Sequence, residues 1–269
     1  MKIALVQQSA THDREANVRR GLEAFEQAAR AGAQLVVFPE LAFERFFPQR
    51  PGREQAASHA ETVPGPTTEL FAAAARRLGV AAVLNLYERA GERLYDSSPV
   101  IDSDGSLLGV ARMVHIMEGP CFHEKDFYHP GDRGAPVFST SVGKLGVAIC
   151  YDRHYPEYMR ALALKGAEIV AIPQAGAVDE WPPGVFEAEV QTACFQNGYF
   201  AALANRVGEE ECLTFAGESF VADPTGRVTA RAPRASECIL YAELDLGLLE
   251  SCPARRHFLP DRRPEAYPL

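Results

Sequence analysis

Apolar positions at Val18, Leu22, Phe25 and Ala29 recur at helical spacing, with Asp13 placed to cap the N-terminus and Gly32 to stop the run. They predict a helix over 13–31. Leu35-Val36-Val37-Phe38 follows as a continuous apolar stretch closed by Pro39, the pattern of a strand buried on both faces. The opening segment, from Ile3 to Val6, reads the same way. Further on, helices are expected at 67–78, 156–165 and 184–197. Strands are expected at 80–86, on either side of Asp104-Gly105, and at 145–150, 199–205, 218–222, 227–231 and 237–244. Tyr87 to Arg93 reads as a polar turn, and Pro224-Thr225-Gly226 as another. Strands alternate with helices early and form hairpins late. That order predicts an α/β chain layered as αββα, two sheets face to face with helices outside.

One pattern occurs twice. Ala31-Gly32-Ala33-Gln34-Leu35-Val36-Val37-Phe38-Pro39-Glu40 lines up with Lys165-Gly166-Ala167-Glu168-Ile169-Val170-Ala171-Ile172-Pro173-Gln174. The match fits two related halves, or convergence on one helix-to-strand connection. No low-complexity linker divides the chain, so 1–269 is expected to form a single domain. Its last stretch, Pro253 to Leu269, is rich in Pro and Arg and reads as an arm on another surface.

Composition narrows the classes. Hydrophobic residues make up 47% and charged residues 23%, ordinary for a chain with a sizeable core. A net charge of −9 argues against nucleic acid or an anionic membrane as partner. No stretch approaches the roughly 18 apolar residues needed to span a bilayer, and a cytoplasmic protein is expected. The six cysteines show no CxxC pair and no metal-ligand spacing, so neither a zinc site nor a disulfide framework is expected.

Two positions carry candidate chemistry. Cys150 ends the apolar stretch Val147-Ala148-Ile149 and meets a polar turn, where α/β sheets bind ligands and backbone N–H groups stabilise an oxyanion. It reads as a nucleophile or as a buried, inert thiol. Glu40, also just past a buried strand, reads as a general base raised by desolvation or as a solvated loop residue. Cys194, Cys212, Cys238 and Cys252 are expected to be structural.

Phe38-Pro39-Glu40-Leu41, Gly146-Val147-Ala148-Ile149-Cys150-Tyr151-Asp152 and Phe122-His123-Glu124-Lys125 with Pro130-Gly131-Asp132 together resemble the ordered motifs of the carbon–nitrogen hydrolase (nitrilase-like) family. The resemblance runs from Ile3 to about Leu246. It implies an αββα sandwich, a homodimer or higher homo-oligomer, and hydrolysis of a linear amide or N-carbamoyl bond in a small molecule without metal or other cofactor. It implies Cys150 as nucleophile, Glu40 as base, Glu124 as a second acid, and the Tyr151 N–H as oxyanion donor. One position departs. Met113 stands where the family has a catalytic lysine, and a thioether cannot donate to an oxyanion. Arg112 and Lys125 are the nearest cations in sequence, and His115, His123 and His129 are further donors. The departure keeps open an impaired, ligand-binding or regulatory protein, and the thioester chemistry keeps open acyl transfer to an amine. Arg153, three residues past Cys150, resembles the arginine that receives a substrate carboxylate in N-carbamoyl amino acid hydrolases. Its other reading is a partner of Glu157 or Asp152. Trp181 resembles a pocket lid, or is a packed aromatic.

Overall fold

Alternate residues of the strand Lys2–Gln7 enter two different cores. Ile3 and Leu5 face an inner core, whereas Ala4 and Val6 pack against helices, the consequence of a two-residue side-chain period. The computed structural model describes residues 1–52 and 56–267, and the last two residues of the expected arm lie outside that range. Lys2–Gln7 runs parallel to Leu35–Val37, which runs parallel to Ala81–Val83. Antiparallel strands Arg93–Ile101, Leu86–Ala90, Leu107–Arg112 and Cys238–Glu243 complete the first sheet. The second has the parallel core Gly143–Val147, Ile169–Gln174 and Phe200–Asn205, flanked by Val137–Thr140, Phe220–Ala222 and Val228–Arg231.

The inner faces of both sheets share one core, where Leu35, Val37 and Val83 meet Leu145, Val147 and Ala171. Outer faces are covered separately. Val36, Phe38 and Ala82 pack under α1 (Arg14–Arg30) and α2 (Pro66–Leu78). Ala148, Val170, Ile172 and Leu203 pack under α3 (Pro156–Leu164) and α4 (Val185–Asn197). The result is the expected αββα layering. Asp13 caps α1 by accepting from the Ala16 N–H at 2.9 Å.

The expected polar turn at 87–93 is instead mostly strand, Leu86–Ala90. Tyr87 and Glu88 are polar yet buried, because the Tyr87 hydroxyl donates to the Phe127 carbonyl at 2.9 Å and Glu88 pairs with Arg112. The hairpin Val207–Glu209 with Thr214–Ala216 is a further difference from the sequence reading. Arg255, in the arm, donates to the carbonyls of Gly198 (2.7 Å) and Ala167 (2.9 Å), holding that segment against the end of α4. Among the described residues no helix is long and apolar enough to cross a membrane.

Candidate active site

Three parallel strands, one from the first sheet and two from the second, end at the same place. Glu40 lies three residues beyond Leu35–Val37, Gln174 closes Ile169–Gln174, and Cys150 lies three residues beyond Gly143–Val147. Cys150 therefore does not end its strand as expected: it begins a 3-10 turn, Cys150–His154, with φ of 42°. Leu41, just after Glu40, has φ of 43°. Two non-glycine residues in the left-handed region mark backbone held by its surroundings. The repeated motif accounts for the meeting. Its two copies lie in facing sheets, and the Glu40 N–H donates to the Gln174 carbonyl at 3.4 Å. The Gln174 side-chain amide donates to Cys150 Sγ at 3.2 Å.

Glu40 is fixed through its backbone. Its carbonyl accepts from buried Arg206 at 2.9 Å. The next N–H, of Leu41, donates to Asn85 Oδ1 at 2.7 Å. The Glu40 carboxyl is fully buried, and neither oxygen receives a hydrogen bond from a donor elsewhere in the protein. It lies within hydrogen-bonding reach of the Asp96 carboxyl and the Cys150 thiol. Burial first, then the charges of Asp96 and Glu124, raise it well above the ordinary carboxylate range. Glu124 is also raised, by burial and then by Asp96. One of its oxygens accepts from the Met117 N–H at 3.1 Å and the other has no partner. Burial, followed by Glu40, Glu124 and Glu180, pushes the Cys150 thiol well above its usual value. Those surroundings oppose the thiolate, so the thiol needs a group to take its proton as it reacts.

Met113 is buried in the apolar cluster that also contains Cys150 and Tyr128. Neither expected substitute replaces its missing charge. The Arg112 guanidinium is held by Glu88 (2.6 Å) and Asp132 (2.8 Å) over the ring of Tyr95, and Lys125 is exposed. Of the histidines, His115 bonds Asp152 Oδ1 at 2.7 Å and stacks on Tyr155. His123 pairs with Glu118, and His129 bonds in the region of Leu94. The Tyr151 N–H lies within the Cys150–His154 turn, next to Cys150, and its ring rests against His154 and Tyr155.

Arg153 pairs with neither Glu157 nor Asp152. Its Nη1 bonds Glu189, its Nε donates to Gln174 Oε1 at 3.0 Å, and its plane lies over Phe186; only Nη2 lacks a partner. Through Gln174 it braces the amide that touches Cys150. Trp181 lies 5.0 Å from the His154 ring and lines a cavity of about 250 Å³ with Glu180, Phe186 and Asn205.

Several site residues escaped the sequence reading. Gln174 was visible as the counterpart of Glu40 in the repeat. Asp96 showed only as a charge inside an otherwise buried strand, and Asn85, Tyr128, Glu180 and Arg206 gave no local signal. The expectation that cysteines would not pair is also overturned. Cys121 and Cys212, with Cα atoms 6.2 Å apart, form a disulfide joining the Glu124 loop to the loop after Arg206. Their separation of 91 residues hides the pairing from any spacing rule.

The family model "Carbon-nitrogen hydrolase" matches residues 2–254. The N-carbamoylputrescine amidase of Solanum lycopersicum is 34% identical over 98% of this chain and 93% of its own. A carbon–nitrogen hydrolase from Helicobacter pylori G27 superposes with a TM-score of 0.93 at 32% identity, over 99% of this chain and 97% of the other. A mutant of the amidase from Nesterenkonia sp. AN1, with acrylamide added to its active-site cysteine, superposes with a TM-score of 0.84 at 28% identity, over 99% and 98%. The chain belongs to the carbon–nitrogen hydrolase family and is a hydrolase of that class.

Proposed function

We propose that the protein hydrolyses a linear amide or an N-carbamoyl amine through an acyl- or carbamoyl-Cys150 intermediate. The observation that carries this reading is the buried convergence of Cys150 and Glu40 at strand ends from opposite sheets, with the Gln174 amide on the sulfur. Glu40 takes the thiol proton as Sγ attacks the carbonyl carbon, and the Tyr151 N–H faces the developing oxyanion. The leaving nitrogen takes that proton as the C–N bond breaks. Water then gives a proton to Glu40 as its oxygen displaces the sulfur, which takes that proton back. Glu124 holds the Met117–Glu124 loop through the Met117 N–H and sets the field at the thiol.

The pairing of Arg153 with Glu189 speaks against the carboxylate-bearing substrate expected from Arg153. Glu189 already neutralises that guanidinium, and the groups acting most on the thiol are Glu40, Glu124 and Glu180, all acids. A buried site lined by acids gives a substrate carboxylate no partner, which favours a neutral or cationic group beyond the scissile nitrogen. The carbamoylated diamine named for the Solanum lycopersicum relative fits that preference. A homodimer through α3 and α4 is also inferred, since that side exposes Leu164, Val185 and Phe195. Sedimentation would test it.

Intact mass of the Cys150 peptide after incubation with N-carbamoyl amines, simple amides and carboxylate analogues tests the main reading. Wild-type protein should turn over the neutral or cationic substrates about ten-fold or more faster than the carboxylate ones. Glu40→Gln should accumulate the Cys150 adduct. Adducts with none of the panel would favour the ligand-binding reading, which Met113 supports. Trapping of the adduct by hydroxylamine in preference to water would favour acyl transfer.

A further inference from the structure

Four buried side chains near Cys150 and Glu40 carry polar atoms with no donor elsewhere in the protein to satisfy them. They are Glu40 (both oxygens), Asp96 Oδ2, Glu124 Oε1 and the hydroxyl of Tyr128. Tyr128 is fully buried, and the charges acting on it are those of Asp96, Glu40 and Glu124, in that order. The groups facing Asp96 come from every surrounding element: Glu40 after Leu35–Val37, Asn85 before Leu86–Ala90, Ser98 on its own strand, Tyr128 and Glu124, and Asp152. The charges that act most on Glu40, Glu124 and Cys150 are all negative. With Met113 in place of a lysine, Glu40 on its own would keep its proton and could not act as a base.

Asp96 changes that balance. Its Oδ1 accepts from Asn85 Nδ2 at 2.6 Å, which orients the carboxyl, while Oδ2 is left with the Glu40 carboxyl as its neighbour. We propose that Asp96 and Glu40 share a single proton, and that this carboxyl pair replaces the absent cation as the means of ionising the site. The inference rests on the Cys150–Glu40 chemistry above and makes Asp96 a positioning residue acting through Glu40. At rest the pair carries one proton and one negative charge. As Sγ bonds to the carbonyl carbon, the thiol proton moves to the pair, which becomes neutral, and the charge appears on the substrate oxygen. When the C–N bond breaks, one proton goes to the leaving nitrogen and the pair returns to one. Deacylation repeats the cycle: water gives a proton to the pair as its oxygen adds to the thioester, and the expelled sulfur takes one back.

The physical reason is that the first proton leaves a carboxyl pair more easily than it leaves a lone buried acid, because the anion keeps a hydrogen bond from the remaining O–H. The second proton leaves with more difficulty. Burial accordingly pushes Asp96 up to about 7, with hydrogen bonds from Glu40 and Asn85 opposing the rise.

The test is the pH dependence of Cys150 alkylation by iodoacetamide, read by peptide mass in wild type, Asp96→Asn and Glu40→Gln. Asn keeps the acceptor for Asn85 but offers Glu40 only an amide. The acid limb should therefore move up by about one pH unit in Asp96→Asn, with about ten-fold slower labelling below it. A downward shift would mean that Asp96 is already ionised and merely repels Glu40, and an unchanged limb that the two do not communicate. Either result overturns the pair. Glu40→Gln should flatten the profile; a persisting limb would instead remove Glu40 as base.

A second measurement does not depend on Cys150. Both carboxyls are raised in the folded state, so stability falls as pH rises from the unfolded carboxylate range towards about 7. The pair holds one proton in the folded wild type, and Glu40 alone holds one in Asp96→Asn, while the other raised acids, such as Glu44 and Glu124, are common to both. The two proteins should therefore lose Tm with pH at similar slopes over this range. A wild-type slope steeper by one proton would mean that the two carboxyls hold separate protons, and would overturn the proposal whatever the labelling shows.

Discussion

Two groups of charges meet at the corner formed by Arg112 and Met113, and they are closed in opposite ways. On one side Arg112 is held by Glu88 and Asp132 and lies 4.0 Å over the Tyr95 ring, while Ser97 donates to Glu88. On the other, Glu40, Asp96 and Glu124 lie together near Cys150, in the core that also holds Met113, with no cation among the charges that act most on them. Adjacent residues of a strand point to opposite faces, so Tyr95 and Ser97 serve the first group and Asp96 and Ser98 the second. The first is saturated and ties strands together. The second keeps orphan polar atoms, which a chain retains at a cost unless they are used. The proposed chemistry falls in the group that is left incomplete.

The largest effect that could break this comparison is loss of turnover. Cys150→Ala and Glu40→Gln should each lower kcat/KM by about 10³-fold or more, while Tm holds or rises. Glu40→Gln removes a raised acid, so its stabilising effect should grow with pH. Either variant turning over normally would make the unsaturated group merely structural. Glu88→Gln should do the reverse. It leaves a buried guanidinium with one carboxylate fewer and should cost about 3–5 kcal/mol in urea unfolding, with kcat of the folded enzyme unchanged. Loss of turnover at full stability would show that the two groups are not separable.

Met113→Lys sharpens the contrast with a smaller effect. An ammonium placed beside Glu40, Asp96 and Glu124 should favour their ionised forms, moving the acid limb of kcat/KM down by about one unit and raising the rate near pH 6 about ten-fold. The pH profile of a simple amide would show it. No change would mean that the side chain does not reach the carboxyls.

Much of this was legible in the chain. The helices 13–31 and 67–78 differ from the observed bounds by only a residue or so at each end; in the first, period, cap and stop signal agreed. The ten-residue repeat, read in the sequence as related halves or convergence, has its two copies end side by side in the fold, one supplying a carboxylate and the other the Gln174 amide. The 87–93 segment misled because its polar residues find partners 24 and 40 positions away, in Arg112 and Phe127. Arg153 looked available for a substrate because Glu189, 36 residues on, is invisible to local spacing.

The sequence by itself determined the layers, since two-residue and helical periods dictate which faces are apolar. It also determined the family and the three motifs that bring Glu40, Glu124 and Cys150 into one chain. Only the tertiary structure decided the electrical state of the site. Desolvation and the distances between charges depend on what surrounds a side chain in space. Asp96, the residue that compensates for Met113, comes from a strand whose neighbours there are set by folding and not by order along the chain.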